Sequence, residues 1–406
     1  MSDLNIFTEG TQKDILNELK VQTSLVKVLA SGWTINDWAA VQEIVRGGGG
    51  KRYFPVGTQF SVTHSEYGNG NIIFDVTGHN IHKKPNYPDA PTMTLTMRHA
   101  IYGRQFDAPE WFWANTTGSP LVAGTYNFTL YKASNNSGDG ENGTYQFTIA
   151  QSIPVNGGLR HTSIGLYKSS AADYKPENIT NGTITSYSAD GTSIETGITV
   201  AAGTEGTSLG TDSVAKANCA NTVGSFNSSQ RNAYGSGNYG ESAIRKWLSS
   251  DAESGWWAKQ TPFDMPPSYA SAAGFLHGID PAFAAVLGEV DITTARNTMY
   301  ETGDTLGGSY TTRDKIFLLS MTELGFGTNN SIAEGVVLPY YEDATQVDRI
   351  KYDIGNQTTA RYWWVRSPYP WGAGNARGVT PEGALGNNNA NNGNGAVADC
   401  EKASLK

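Results

Sequence analysis

The residues able to do chemistry are few, and their spacing does not favour it. His79 and His82, in Gly78-His79-Asn80-Ile81-His82, would share a helix face as a pair of metal ligands. The pattern around them is strand-like, however, and a strand puts residues three apart on opposite faces. Glu323, Glu334, Asp304 and Asp314 fall near loops, where acids are usually solvated. Gly235-Ser236-Gly237 lacks the full spacing of a nucleophile elbow, and no phosphate loop or dinucleotide fingerprint occurs. Cys219 and Cys400 are the only cysteines, too few for a disulfide framework or a cysteine zinc site. Two buried thiols are expected, with one bridge between them as the alternative. These residues predict no catalytic group, no metal, no cofactor and no enzyme.

Residue types suited to recognition do cluster, near the C-terminus. Tyr369, Trp371, Asn375 and Arg377 are followed by Asn388, Asn391, Asn392 and Asn394, all interleaved with Gly and Ala. Large amphipathic rings beside small polar side chains are the chemistry of a combining surface. The segment has no side chains for a core of its own, so its flanks must hold it. Tyr362-Trp363-Trp364-Val365-Arg366-Ser367-Pro368 reads as a core strand, because Trp and Tyr are strand formers with large apolar areas. Gly395-Ala396-Val397-Ala398-Asp399-Cys400 reads as a small-residue strand returning to that core. The expectation is a polar loop between two paired or adjacent strands, with residues 369–394 emerging on one face. Low-complexity sequence prone to disorder or aggregation is the alternative for the Asn tract.

The remaining elements follow from periodicity. Thr11 with Asp14 resembles a capping box, and Ile15, Leu19, Val26 and Leu29 continue at helical spacing. Leu16, Val21, Leu25 and Val28 widen that apolar face, so the helix must bury against its own chain or against copies of itself. A second helix is expected from Trp38 to Gly47, then strands at Phe60–Thr63, Ile72–Val76 and Met93–Met97. Gly124–Tyr131 and Gly143–Ile149 form a near-repeat across a Gly/Asn/Ser turn, a hairpin signal. Ser242–Leu248 and Asp280–Leu287 read as short capped helices, and Lys315–Ser320 as a buried strand.

Composition narrows the class. Charged residues make up 17% of 406, against 47 Gly, 20 Tyr and 10 Trp, which suits a β- and loop-rich globular chain. Net charge is −9 and no basic run occurs, so no nucleic-acid partner is expected. No run of eighteen apolar residues predicts membrane insertion. Met1–Phe7 lacks the pattern of a secretory signal, which predicts synthesis in a cytoplasm without export by that route.

Several segments, in one order, resemble a known family. They are Ser242–Leu248, Gly255-Trp256-Trp257, Ala272-Ala273-Gly274-Phe275-Leu276, Asp314–Ser320, Tyr362–Pro368 and Gly395–Cys400. Together they resemble the C-type-lectin-fold variable proteins of diversity-generating retroelements, over about Trp38 to Cys400. The resemblance implies an α+β C-type-lectin-like fold of the formylglycine-generating-enzyme-like variety. It divides the chain into an N-terminal helix (1–33) and a lectin-like domain (34–406). That domain would carry a β-rich insertion at about 88–221 and a variable region at about 362–400.

In such systems a reverse transcriptase corrupts template adenines, and the copy overwrites the 3′ end of the gene. Asn codons are adenine-rich and change to many residue types without becoming stops; Trp371 lies outside that set, so its position is fixed or encoded differently. The resemblance further implies a phage receptor-binding protein on the virion tail, made in the bacterial host cytoplasm. Its partners would be a bacterial cell-surface receptor, protein or glycan, together with tail or baseplate proteins and two further copies in a homotrimer. The calcium-dependent sugar motifs of true C-type lectins are absent, so calcium-mediated sugar binding is not implied. A bacterial surface-displayed adhesin and a structural decoration protein are the alternatives.

Overall fold

The computed structural model describes residues 9–30, 37–110, 231, 234–298 and 307–403, together with 113–115, 118–122, 124–130, 143–149, 152, 155, 158–161, 183–187, 193–201, 217–218 and 225–226. Helices α1 (Glu9–Ala30), α2 (Trp38–Arg46) and α3 (Gly50–Tyr53) precede strands β1 (Gln59–His64), β2 (Gly70–His79), β3 (Thr92–Met97) and β4 (Ile101–Arg104). Eight strands from β5 (Trp113–Ala114) to β12 (Ser225–Phe226) then form a sheet of their own. Within it, Gly124–Leu130 and Gly143–Ile149 pair antiparallel with Tyr126 opposite Phe147, the hairpin expected from the near-repeat. After it come α4 (Ala243–Leu248), α5 (Pro281–Val286), β13 (Val290–Ala295), β14 (Ser309–Asp314), β15 (Ile316–Phe317), β16 (Lys351–Asp353) and β17 (Asn356–Arg361). The last strands are β18 (Trp363–Pro368), β19 (Asn375–Val379), β20 (Leu385–Asn389), β21 (Asn394–Ala396) and β22 (Asp399–Ala403). The class is α+β. β3 and β4 belong to the core sheets, so the added sheet begins at β5 and runs past 221 to Phe226.

Short helices form where a polar cap precedes an apolar stripe. Asp37 accepts the Ala40 amide at 3.0 Å at the start of α2, whose Trp38, Val41, Ile44 and Val45 are buried. Ser242 caps α4 through the Arg245 amide, and Asp280 with Pro281 opens α5. Trp38 packs between Phe60 and Phe283, with ring centroids 5.3 and 4.7 Å away, and joins α2 to β1 and α5.

Two five-stranded sheets meet in one core. The first has the order β1-β2-β3-β22-β15 and the second β20-β19-β18-β21-β4. The run from Gly395 to Cys400 is therefore not one strand. β21 lies parallel to β18, with Gly395 opposite Trp363, whereas β22 sits between β3 and β15, with Cys400 opposite Leu95 and Ile316. Val397 and Ala398, both buried, carry the chain from one sheet to the other, which small side chains permit inside a packed core. Cys400 is buried; Cys219, and with it any bridge, lies outside the described residues, as does Asp304. The buried strand expected over Lys315–Ser320 shortens to Ile316–Phe317; beyond it the Leu318 carbonyl accepts from the Arg366 guanidinium and the Leu319 carbonyl from the Arg366 amide of the strand Trp363–Pro368.

Helix α1 spans 22 residues and starts at Glu9, so Thr11 lies inside it and does not cap it. Among its described side chains one, Val21, is buried and fixes it to the body; those of Leu25, Val28 and Leu29 lie outside the described residues. A Cβ on Gly47 would lie 2.7 Å from Val21 Cγ2, so glycine there is what lets the helices approach. Ile15, Leu19 and Val26 point away from that contact, since at 100° per residue they fall within about 40° of one another and roughly 120–160° from Val21. Leu19 is 58% and Val26 63% exposed, so the body does not cover this stripe.

Candidate binding surface

β18 is buried along its whole length and serves as the frame. Trp363 donates its indole N–H to the Arg349 carbonyl at 3.1 Å, and Trp364 donates to the Arg104 carbonyl at 2.8 Å. Each ring thus satisfies its polar atom while filling the core. β19 pairs with β18 on one side and β20 on the other, with Asn375 opposite Asn389, Ala376 opposite Asn388 and Arg377 opposite Asn387. The polar segment expected as a loop is largely an antiparallel ribbon.

Strand alternation overturns the expectation that these side chains share one face. Asn375, Arg377, Asn387 and Asn389 project to one side, and Asn388 projects to the other with Ala376, Gly378 and Gly386. Tyr362 closes that second side: a Cβ on Gly378 would lie 2.2 Å from its ring, so residue 378 must lack one. The stretch could not be assigned its period from sequence, because Asn and Gly carry no hydrophobic alternation.

Of the eight candidate residues, five form two linked groups. Tyr369 meets Trp371 edge-on at 5.7 Å, and the Arg377 guanidinium stands 5.1 Å over the Tyr369 ring. Trp371, at 57% exposed, is the projecting member. Burial draws the Arg377 guanidinium somewhat below its usual range, and burial pushes the Tyr362 phenol up. Asn375 donates to the Asn389 side chain at 3.0 Å across the ribbon, and Asn392 donates to Asn388. Asn391 is held by its backbone carbonyl, which accepts from Gln105 at 2.7 Å. Asn394 departs from the expectation: it is 8% exposed, lies in β21 opposite Arg104, and cannot contact a ligand without movement. Its position one residue before Gly395 draws it into the frame.

Remote segments pin the turn between β18 and β19. Asn297 donates to the Tyr369 and Gly372 carbonyls at 3.0 and 3.1 Å, the Thr298 amide donates to Pro370, and the Gly237 amide donates to Ala373 at 2.8 Å. No local sequence signal marks Asn297, Thr298 or Gly237, since each acts across more than seventy residues of chain. Where the chain leaves β20, the Ala390 amide donates to Gly374 and its carbonyl accepts from the Asp107 amide. The ribbon is consequently fixed where the chain enters it and where the chain leaves it, at the end opposite its Thr380–Ala384 turn.

Beneath β18 lies a buried ionic hub. Arg366 grips Glu323 with two bonds of 2.6 and 2.7 Å and donates further to the Leu318, Thr293 and Glu334 carbonyls. Glu323 also bonds His82 at 3.0 Å, and Glu334 takes the Ser367 hydroxyl and the Ala295 amide. Glu323 and Glu334 are thus fully buried, and Asp314, paired with Arg245 at 2.9 Å, is nearly so. This corrects their reading as solvated loop acids. His79 goes elsewhere, to the Phe54 carbonyl, and among the described residues no group of His, Cys, Asp and Glu is placed to hold a metal. Ser236 is buried between the Glu241 carboxylate and the Asn238 amide.

Burial alone would raise the Glu323 carboxyl, but the charge and hydrogen bonds of Arg366, with His82, outweigh it and hold the group at about 2. A carboxyl depressed in the folded state contributes stability above its ordinary value of 4.5 and loses it as pH falls toward 2. Burial raises Glu334, which acts in the opposite sense. Wild type should therefore lose more stability than Glu323→Gln between pH 5 and pH 3 in denaturant titrations. Equal losses would show that Glu323 is not depressed.

Residues 207–398 match the family model of a domain of unknown function, DUF6273, just under half of the chain. The match runs from the end of the added sheet through α4 to β21 and includes the entire ribbon. No curated protein and no solved structure matches this chain.

Proposed function

We propose that this chain is a ligand-binding protein of C-type-lectin-like fold, diversified by a retroelement, that attaches a phage particle to a bacterial surface. One observation carries this reading: a ribbon of polar residues is clamped where the chain enters and leaves it by hydrogen bonds to its backbone that do not depend on its side chains. Such a ribbon can change its contact chemistry while Trp363, Trp364 and the hub keep the frame constant. Tyr369, Trp371 and Arg377 supply rigid contact area, and the asparagines supply adaptable hydrogen bonds. The sequence of the surrounding DNA tests the diversification. A near-copy of the segment encoding residues 369–394, differing at template adenines and beside a reverse transcriptase gene, is the expected finding; a locus with neither removes this part of the reading.

The same reading gives α1 a task. Ile15, Leu19 and Val26, with Gln22 and Gln12, fall at alternating three- and four-residue steps, the spacing of a coiled-coil seam, on the side of the helix turned from its own body. Copies of this chain would bury the seam in a homotrimer and multiply weak single-site binding. Light scattering should give a trimer for the full chain and a monomer for a chain beginning at Trp33. The same number of subunits in both would defeat the assignment.

A further inference from the structure

A second concavity lies apart from the ribbon, and none of its lining residues falls between 362 and 400. It has a volume of about 480 Å³ and opens between the β3–β4 turn, carrying Arg98 and His99, and the segment from Pro339 to Tyr352. Asp75 and Lys351 form part of its lining, Tyr340 and Tyr352 supply rings, and Asp343 stands among them.

The charges in this pocket are nearly balanced, which limits what it can hold. Arg98 is already paired with Asp75 at 2.9 Å. Lys351 is buried, donates to the Met97 carbonyl at 2.8 Å, and lies in the field of Asp75 and Asp399. Asp343 and Asp348 add further negative charge, so no cationic surplus remains for a phosphate or sulfate. An apolar ligand would strip water from these groups without replacing it. His99 is different: its Nδ1 is buried and has no partner, and burial, with Lys351 and Arg98, lowers the ring's proton affinity and keeps it neutral. The pocket therefore offers donors and acceptors side by side, an unused ring nitrogen, and two tyrosine rings.

We propose that this pocket binds a neutral saccharide of one or two rings. Each sugar hydroxyl both donates and accepts, so it can bridge a carboxylate and a guanidinium or imidazole without bringing charge. The C–H face of a pyranose suits an aromatic ring, and the volume admits a ligand of that size. The pocket is independent of the ribbon and of its proposed role.

Saturation-transfer NMR and calorimetry on the full chain test the proposal, using methyl glycosides of glucose, galactose, mannose and N-acetylglucosamine and their disaccharides. At least one should bind with a millimolar constant, and Tyr340→Ala, His99→Ala and Asp343→Asn should each weaken it by about tenfold. Asp343 is solvent-facing, so its variant keeps the test valid if a ring deletion unfolds the protein. Three results overturn the proposal: no neutral sugar binds wild type, all three variants bind as wild type does, or inorganic phosphate or glycine binds where sugars do not.

Discussion

Arg366→Met is expected to lower the unfolding free energy by about 3–5 kcal/mol, the range found when one partner of a buried ion pair is removed. The guanidinium is 1% exposed and answers two acids at once, Glu323 through two short bonds and Glu334 through its carbonyl and charge. Methionine fills much of the volume but leaves a carboxylate without its cation in a site closed to water. The remaining hub bonds, from His82 and the Ser320 amide, are too few to hold Glu323 ionised. Because the hub joins β13, β15 and β18 to the segment near Glu334, its loss should loosen the base of the ribbon as well. Chemical denaturation measures the effect, and a loss below about 1 kcal/mol would mean the carboxylates find other partners.

Two tryptophans seven residues apart should behave oppositely. Trp364 is fully buried, donates to Arg104, and packs edge-on against Phe106 at 5.6 Å, so Trp364→Ala should cost about 3–5 kcal/mol. Trp371 stands mostly in solvent, so Trp371→Ala should stay within about ±0.5 kcal/mol. Parallel thermal melts decide the matter. A reversed order would mean that frame and display have been exchanged.

The frame was legible because its residues carry a period and a size. Trp363 and Trp364 mark a core strand by area alone, the Ser242 and Asp280 caps announce their helices, and the hairpin of Gly124–Leu130 with Gly143–Ile149 repeats its own pattern. The ribbon was not legible as a ribbon, because Asn and Gly give no alternation from which to read two faces. The hub leaves no local signal for a related reason: Glu323 and Glu334 lie among loop residues, and only the arrival of Arg366 from a strand over thirty residues away makes them core. The pocket brings together Asp75, Arg98, Tyr340 and Lys351 from opposite ends of the chain, so no local spacing could announce it. The break between β21 and β22 depends on where two sheets diverge, which composition does not encode.

Recognition by the ribbon is put to the test by replacing Tyr369, Trp371, Asn375, Arg377, Asn388, Asn391 and Asn392 together by Ser, with buried Asn394 left in place. Attachment of the purified protein to a panel of bacterial cells is measured beside its melting temperature. Wild type should label at least one strain, and the variant should melt nearly as wild type does yet no longer label it. Undiminished labelling by a folded variant would place the recognition surface off the ribbon.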